Sequence, residues 1–169
     1  GTYEVTIRAD VQAEGLVGDV ARFQRMLSLQ KSPRIAVAVR EGVAPECRPA
    51  ADRAVSRLNH RLSRAGFTVV DPEAAAGGPS LLLKLGVESS SRDVAYEDVK
   101  LTTNEVSLAA DVVRPEGGQV LASASSTASV PGASRLKAMD KGVESAVGRI
   151  FEDVRRNLAQ AWSRELHAA

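Results

Sequence analysis

Between residues 33 and 71 the apolar positions change period twice. Ile35, Ala36, Val37, Ala38 and Val39 are continuous, Ala51, Val55, Leu58 and Leu62 recur at helical spacing, and Phe67, Val69 and Val70 are nearly continuous again. A short run that is apolar on both faces predicts a central strand covered on both sides. The spacing that follows predicts a helix, with Gly66 as its C-terminal stop. Residues 33–71 therefore read as strand, loop (40–49), helix and strand. Such a β-α-β unit makes its two strands parallel and its crossover right-handed.

The flanking patterns extend this unit in both directions. Tyr3, Val5, Ile7, Ala9 and Val11 alternate with polar residues, as in a half-buried strand. Leu16, Val20, Phe23 and Leu27 predict an amphipathic helix over 14–29, ended by Pro33. We assign residues 1–31 to the end of a preceding domain or to an N-terminal extension, and 32–169 to an α/β domain. Residues 72–79 read as a turn with one helical turn inside it. Residues 81–87 read as a strand, and the serine-rich stretch 88–97 as a loop or hairpin end. A long strand over 101–113 changes parity near Asn104 and Glu105, which predicts a β-bulge there. The turn 115–118 then predicts an antiparallel partner over 119–130. In that partner Val120, Ala122, Ala124, Ala128 and Val130 share one face, small enough for a helix to approach closely.

After Pro131 and Gly132, with Ser134 as N-cap, an apolar stripe runs from Leu136 through Val143, Ile150 and Leu158 to Leu166. Roughly 32 helical residues span about 48 Å, so the end beyond Leu158 is expected to project. The fold class is α/β: a mixed sheet with a β-α-β opening, a long antiparallel hairpin, and a long C-terminal helix packed on the sheet.

Composition narrows the function classes. Aromatics are 4% of the 169 residues, so the core must be built from Val, Leu, Ile and Ala. A net charge of +1 gives no global attraction to nucleic acid or membrane. The single cysteine excludes an internal disulfide. No apolar run reaches the roughly 18 residues of a membrane span. The chain opens on Gly1 and passes directly into a strand pattern, which suggests a piece of a longer precursor. The lack of a visible signal peptide therefore carries no weight.

The residues show no phosphate-binding, dinucleotide-binding or nucleophile-elbow motif. His60 and His167 have no second ligand at metal spacing, and both read as surface histidines. Cys47 lies between Glu46 and Arg48 with no neighbouring histidine to act as base, so an ordinary loop cysteine is expected. Asp93, Glu97 and Asp98 cluster without the spacing of a calcium loop. No catalytic residue, metal or cofactor is assigned. One feature stands above this background: Arg53, Arg57, Arg61 and Arg64, with His60, follow helical spacing opposite the apolar stripe. This ridge suits phosphates or an acidic partner, although a solvated helix face is the plainer reading. No stacking aromatics are interleaved, so nucleic acid is not the expected partner. The remaining candidate contact residues are Arg40, Glu41 and Arg48 in the loop, and Trp162 near Leu158 and Leu166. Trp162 is an anchor if exposed, and a core residue if it packs near Phe23.

The stretch "SPRIAVAVRE", followed by "AADRAVSRLNHRLSRAGFTVVDPEAAA", resembles the opening of a group of bacterial envelope proteins. These are the flagellar assembly protein FlgT (its middle domain), the curli secretion protein CsgG, the penicillin-binding-protein activator LpoB and the TolB N-terminal domain. The matching pieces span residues 33–160, although "GPSLLLKLG" lacks the aspartate that often precedes the apolar run in that group. The resemblance implies a non-catalytic extracytoplasmic scaffold or assembly module. Its setting would be periplasmic or outer-membrane-associated and lipoprotein-like, its partners envelope or assembly proteins, with a homo-oligomer compatible. Two other readings stay open: a nucleotide- or nucleic-acid-binding module acting through the arginine ridge, and a small-molecule enzyme with its site at loop 40–49, beyond the carboxyl end of the first strand.

Overall fold

The computed structural model of the chain describes residues 21, 23–25, 33–73 and 78–168. The strand expected over 3–11, most of the helix expected over 14–29 and the helical turn expected near 74–77 lie outside the described residues, as does the side chain of His167. Strand β1 (Arg34–Val39) leads through a short 3-10 turn (Pro45–Cys47) into helix α1 (Arg48–Ala65) and strand β2 (Thr68–Val69). Strands β3 (Leu81–Tyr96), β4 (Val99–Val113) and β5 (Val120–Gly132) follow, then helix α2 (Arg135–Ala168). The sheet order is β2-β1-β3-β4-β5. β1 is parallel to both neighbours, and the pairs β3–β4 and β4–β5 are antiparallel.

Local chemistry explains the element ends. Gly66 adopts φ 111, a left-handed conformation open to glycine without steric cost. This lets the Phe67 amide reach back to the Leu62 carbonyl at 3.1 Å, closing α1 and aiming the chain into β2. Ser134 caps α2 by accepting the Lys137 amide through Oγ at 3.2 Å. At the other end of the sheet, the Arg114 amide donates to the Gln119 carbonyl at 2.9 Å, closing the β4–β5 turn.

The long hairpin differs from expectation in two respects, both traceable to polar side chains. First, residues 88–97 are a hairpin end and not a loop. β3 continues to Tyr96, paired with β4 residue by residue until Tyr96 faces Val99. A strand that is polar on both faces has no hydrophobic period to reveal it; the backbone ladder with β4 holds it instead. Second, β4 has no bulge at Asn104 and Glu105. Its register against β3 runs unbroken, and the inward position at 104 is filled by a buried polar residue. Asn104 is 1% exposed, and its Nδ2 donates to Ser89 Oγ, the Ser90 carbonyl and Ser91 Oγ at 3.0–3.1 Å. The parity change marks an inward asparagine. The register shift lies between β4 and β5, where Val112 faces Ala122 but Val113 faces Val120, leaving Leu121 as the extra residue. Val120 is thereby turned away from the Ala122 face and is exposed.

Both long helices pack on one face of the sheet. Ala122 and Ala128 are buried beneath α2, and Ser126 Oγ donates to the Ala146 carbonyl in the middle of that helix at 2.8 Å. The small-residue face therefore does admit the helix closely. Among the described residues no helix lies on the other face, where β1 places Arg34, Ala36 and Ala38, with Ala36 fully buried. The length of α2 also has a physical reason. Its 34 residues rise about 51 Å at 1.5 Å each. The 15 residues of β4 extend about 51 Å at 3.4 Å each. Helix and hairpin are matched, and the helix end does not project: Leu158 and Trp162 are buried, and Glu165 accepts a 2.7 Å hydrogen bond from Arg114. That bond raises the Arg114 pKa above its usual value, against the opposing effect of burial. Among the described residues, no helix is long and apolar enough to cross a membrane.

Candidate functional site

The arginines of α1 do form one row, but Arg53, Arg57 and Arg61 are half-buried, and only Arg64, with His60, is exposed. They line a groove of about 880 Å3 between α1 and α2, bounded by Arg53, Arg57, His60, Arg61, Arg64, Glu144 and Phe151. The helices run in the same direction, and their facing side chains meet as rungs. Arg53 is ion-paired with Asp140, and Arg57 lies 3.7 Å from Glu144. Four residues further along both helices the partner of Arg61 is Gly148. A Cβ built there would lie 3.3 Å from Arg61 Nη2. The next carboxylate on α2, Glu152, is bonded to Arg155 at 3.0 Å and faces its own helix. Among the described residues, no acidic side chain pairs with His60, Arg61 or Arg64.

The carboxylates are what the sequence reading missed. Asp140, Glu144 and Gly148 repeat the four-residue spacing of Arg53, Arg57 and Arg61. That match was visible in the chain, but nothing local says that two helices some 90 residues apart in sequence lie side by side. Both paired arginines are about a third exposed on their side chains, so each rung is worth little in isolation. A double-mutant cycle on Arg53→Ala and Asp140→Ala is expected to return a coupling of about 0.2–1 kcal/mol by urea denaturation.

The loop candidate occupies the opposite side of the sheet. Arg40 lies across Gly86 and pairs with Asp111 at 2.5 Å, while Ser123 Oγ donates to the other oxygen of that carboxylate at 2.6 Å. A groove of about 490 Å3 opens beside them, lined by Arg40, Glu41, Val43, Cys47, Gly86 and Thr127 among others. The Cys47 thiol is buried and donates to the Ser89 carbonyl at 3.5 Å. Arg48 stands apart from this groove, exposed and 3.8 Å from Asp52. The structure thus brings Arg40, Glu41 and Cys47 together and leaves Arg48 outside.

Trp162 is not a surface anchor in this chain. It is 2% exposed and stacks on Phe23, with ring centroids 6.2 Å apart and planes 16° from parallel; Phe67 closes the cluster at 6.3 Å. Three of the exposed large apolar residues cluster at the β3–β4 hairpin end, while Val120 lies at the opposite end of the hairpin and Leu136 in the first turn of α2. Val94 faces Leu101 directly across β3 and β4, on the sheet face away from the helices, and Val99 lies two residues further on the same face. Their exposures are 39%, 37% and 57%. The sequence pattern does not single them out, because 99 and 101 have the opposite parity to the core positions 106, 108, 110 and 112 of the same strand.

No protein-family model matches the sequence, and no curated protein matches it. Similar solved structures exist. A protein from Helicobacter pylori described as a neuraminyllactose-binding hemagglutinin homolog aligns with a TM-score of 0.57 and 13% identity, over 82% of this chain and 91% of the other. The PelC dodecamer from Paraburkholderia phytofirmans aligns with a TM-score of 0.52 and 19% identity, over 73% and 89%. A protein described as a lipoprotein from Caulobacter crescentus aligns at 0.48 and 14% identity, over 88% and 97%. At these identities the first two likenesses show a shared fold, found in bacterial proteins.

Proposed function

We propose that this chain is a non-catalytic module of the bacterial envelope, periplasmic or outer-membrane-associated, that works as a scaffold or assembly factor through protein–protein contact. The observation that carries this reading is the exposed apolar patch at the hairpin end, on the sheet face away from α1 and α2. Both helices lie on the other side, and the hairpin ends in a cross-strand patch of Val94, Val99 and Leu101. Apolar side chains clustered on a rigid strand pair, with polar residues around them, are what a contact surface requires. The sequence resemblance to envelope assembly proteins points to the same class, as does the fold shared with PelC, whose assembly is a dodecamer. A second copy of this chain is accordingly one of the expected partners.

A photoreactive amino acid placed at Val99 or Leu101 tests this in the producing bacterium. Covalent adducts with envelope proteins, or with a second copy, are expected from these two positions and not from Glu116 at the opposite end of the hairpin. Labelling no stronger at 99 and 101 than at 116, or adducts to cytoplasmic proteins alone, would remove the reading.

A further inference from the structure

The two helices form a ladder with an empty rung. Arg53 meets Asp140, Arg57 meets Glu144, and Arg61 meets Gly148, where the helical repeat would place a third carboxylate. From this rung onward the groove is lined by Arg61 and, on the next turn of α1, Arg64, with His60 beside Arg61 and no acidic partner for any of them among the described residues. We infer that the lower half of the α1–α2 groove is a receptor for an acidic polypeptide segment. Its aspartate or glutamate side chains supply the missing rung and pair with Arg61 and Arg64. This surface lies on the helix side of the molecule, away from the hairpin patch, and stands independently of it.

Three features favour a polypeptide carboxylate over other anions. The arginines of this same row already hold side-chain carboxylates at the two upper rungs, so the geometry is shown to suit them. The groove of about 880 Å3 exceeds what a single small anion fills. Its lining also includes Ala65 and Phe151, apolar surface suited to the aliphatic part of an acidic side chain. The Arg61 guanidinium lies against Gly148, where a Cβ would come within 3.3 Å of Nη2, so α2 offers it no side-chain partner there, and guanidinium groups bind carboxylates in a planar, two-point fashion.

The test uses the whole chain, a fluorescein-labelled oligoglutamate peptide, and anisotropy at low salt. Binding is expected to weaken as salt rises, because the charges are only partly buried. Gly148→Glu fills the rung from within. It is expected to lower peptide affinity about tenfold or more, with an unchanged or higher melting temperature, since glutamate favours a helix interior over glycine. Gly148→Ala adds bulk without charge and is expected to keep binding within about twofold, because a methyl group leaves the cations unpaired. Arg61→Ala and Arg64→Ala are expected to weaken binding, and Arg135→Ala, a distant exposed arginine, is not. Absence of binding, or binding that Gly148→Glu leaves intact, would overturn the proposal. So would polyphosphate or single-stranded DNA outcompeting the peptide at equal charge, because the site would then be a phosphate site.

Discussion

Trp162→Ala is expected to cost about 3–5 kcal/mol of folding stability, the range for deleting a fully buried large aromatic. The residue is 2% exposed and joins three parts of the chain that are far apart in sequence: Phe23, Phe67 at the end of α1, and α2 itself. Aromatics are only 4% of the residues, so this cluster has few substitutes. Arg155 adds a cation above the Phe23 ring, with its guanidinium carbon 5.6 Å from the ring centroid. Urea denaturation of native and variant chains measures the loss. Emission from the native chain supplies a second reading, since Trp162 is its only tryptophan. Blue-shifted fluorescence that iodide quenches poorly is expected from the isolated monomer, and red-shifted, readily quenched emission would contradict the packing described here.

Gly132→Ala is expected to cost about 1–3 kcal/mol, because it forces a methyl group into space already filled. A Cβ at residue 132 would lie 2.7 Å from the Ala138 amide nitrogen and 2.8 Å from its Cα. Those are backbone atoms of the first turns of α2, so the clash cannot be relieved by rotating a side chain; the helix start itself must move. The same substitution at Gly117, where nothing lies within 4 Å, meets only the strain of its left-handed backbone. The comparison of the two melting temperatures isolates close packing from conformational preference. A Gly132→Ala variant no less stable than Gly117→Ala would show that β5 and α2 meet less tightly than described.

The sequence by itself determined the parts of this protein whose physics is local. Continuous apolar residues at 35–39 made a central strand. The spacing of Ala51, Leu58 and Leu62, with Gly66 behind them, made a helix that stops where a left-handed residue is needed. The small residues Ala122 and Ala128 announced a closely packed helix before any helix was seen against them. Hydrophobic burial acts through periodicity along a single element, and periodicity can be read from the chain alone. Tertiary structure decided what depends on a partner distant in sequence. The polar half of β3 is a strand because β4 lies beside it. Asn104 is inward because three serine positions of the neighbouring strand supply oxygen acceptors for its amide. Trp162 is buried because Phe23 and Phe67, far from it in sequence, pack against its ring. The arginine row read as a solvated ridge until α2 placed Asp140 and Glu144 against its upper half and Gly148 against its third rung. Charge pairing across two helices leaves a four-residue period in each, but neither one names the other as its partner, since each helix carries only half of every pair.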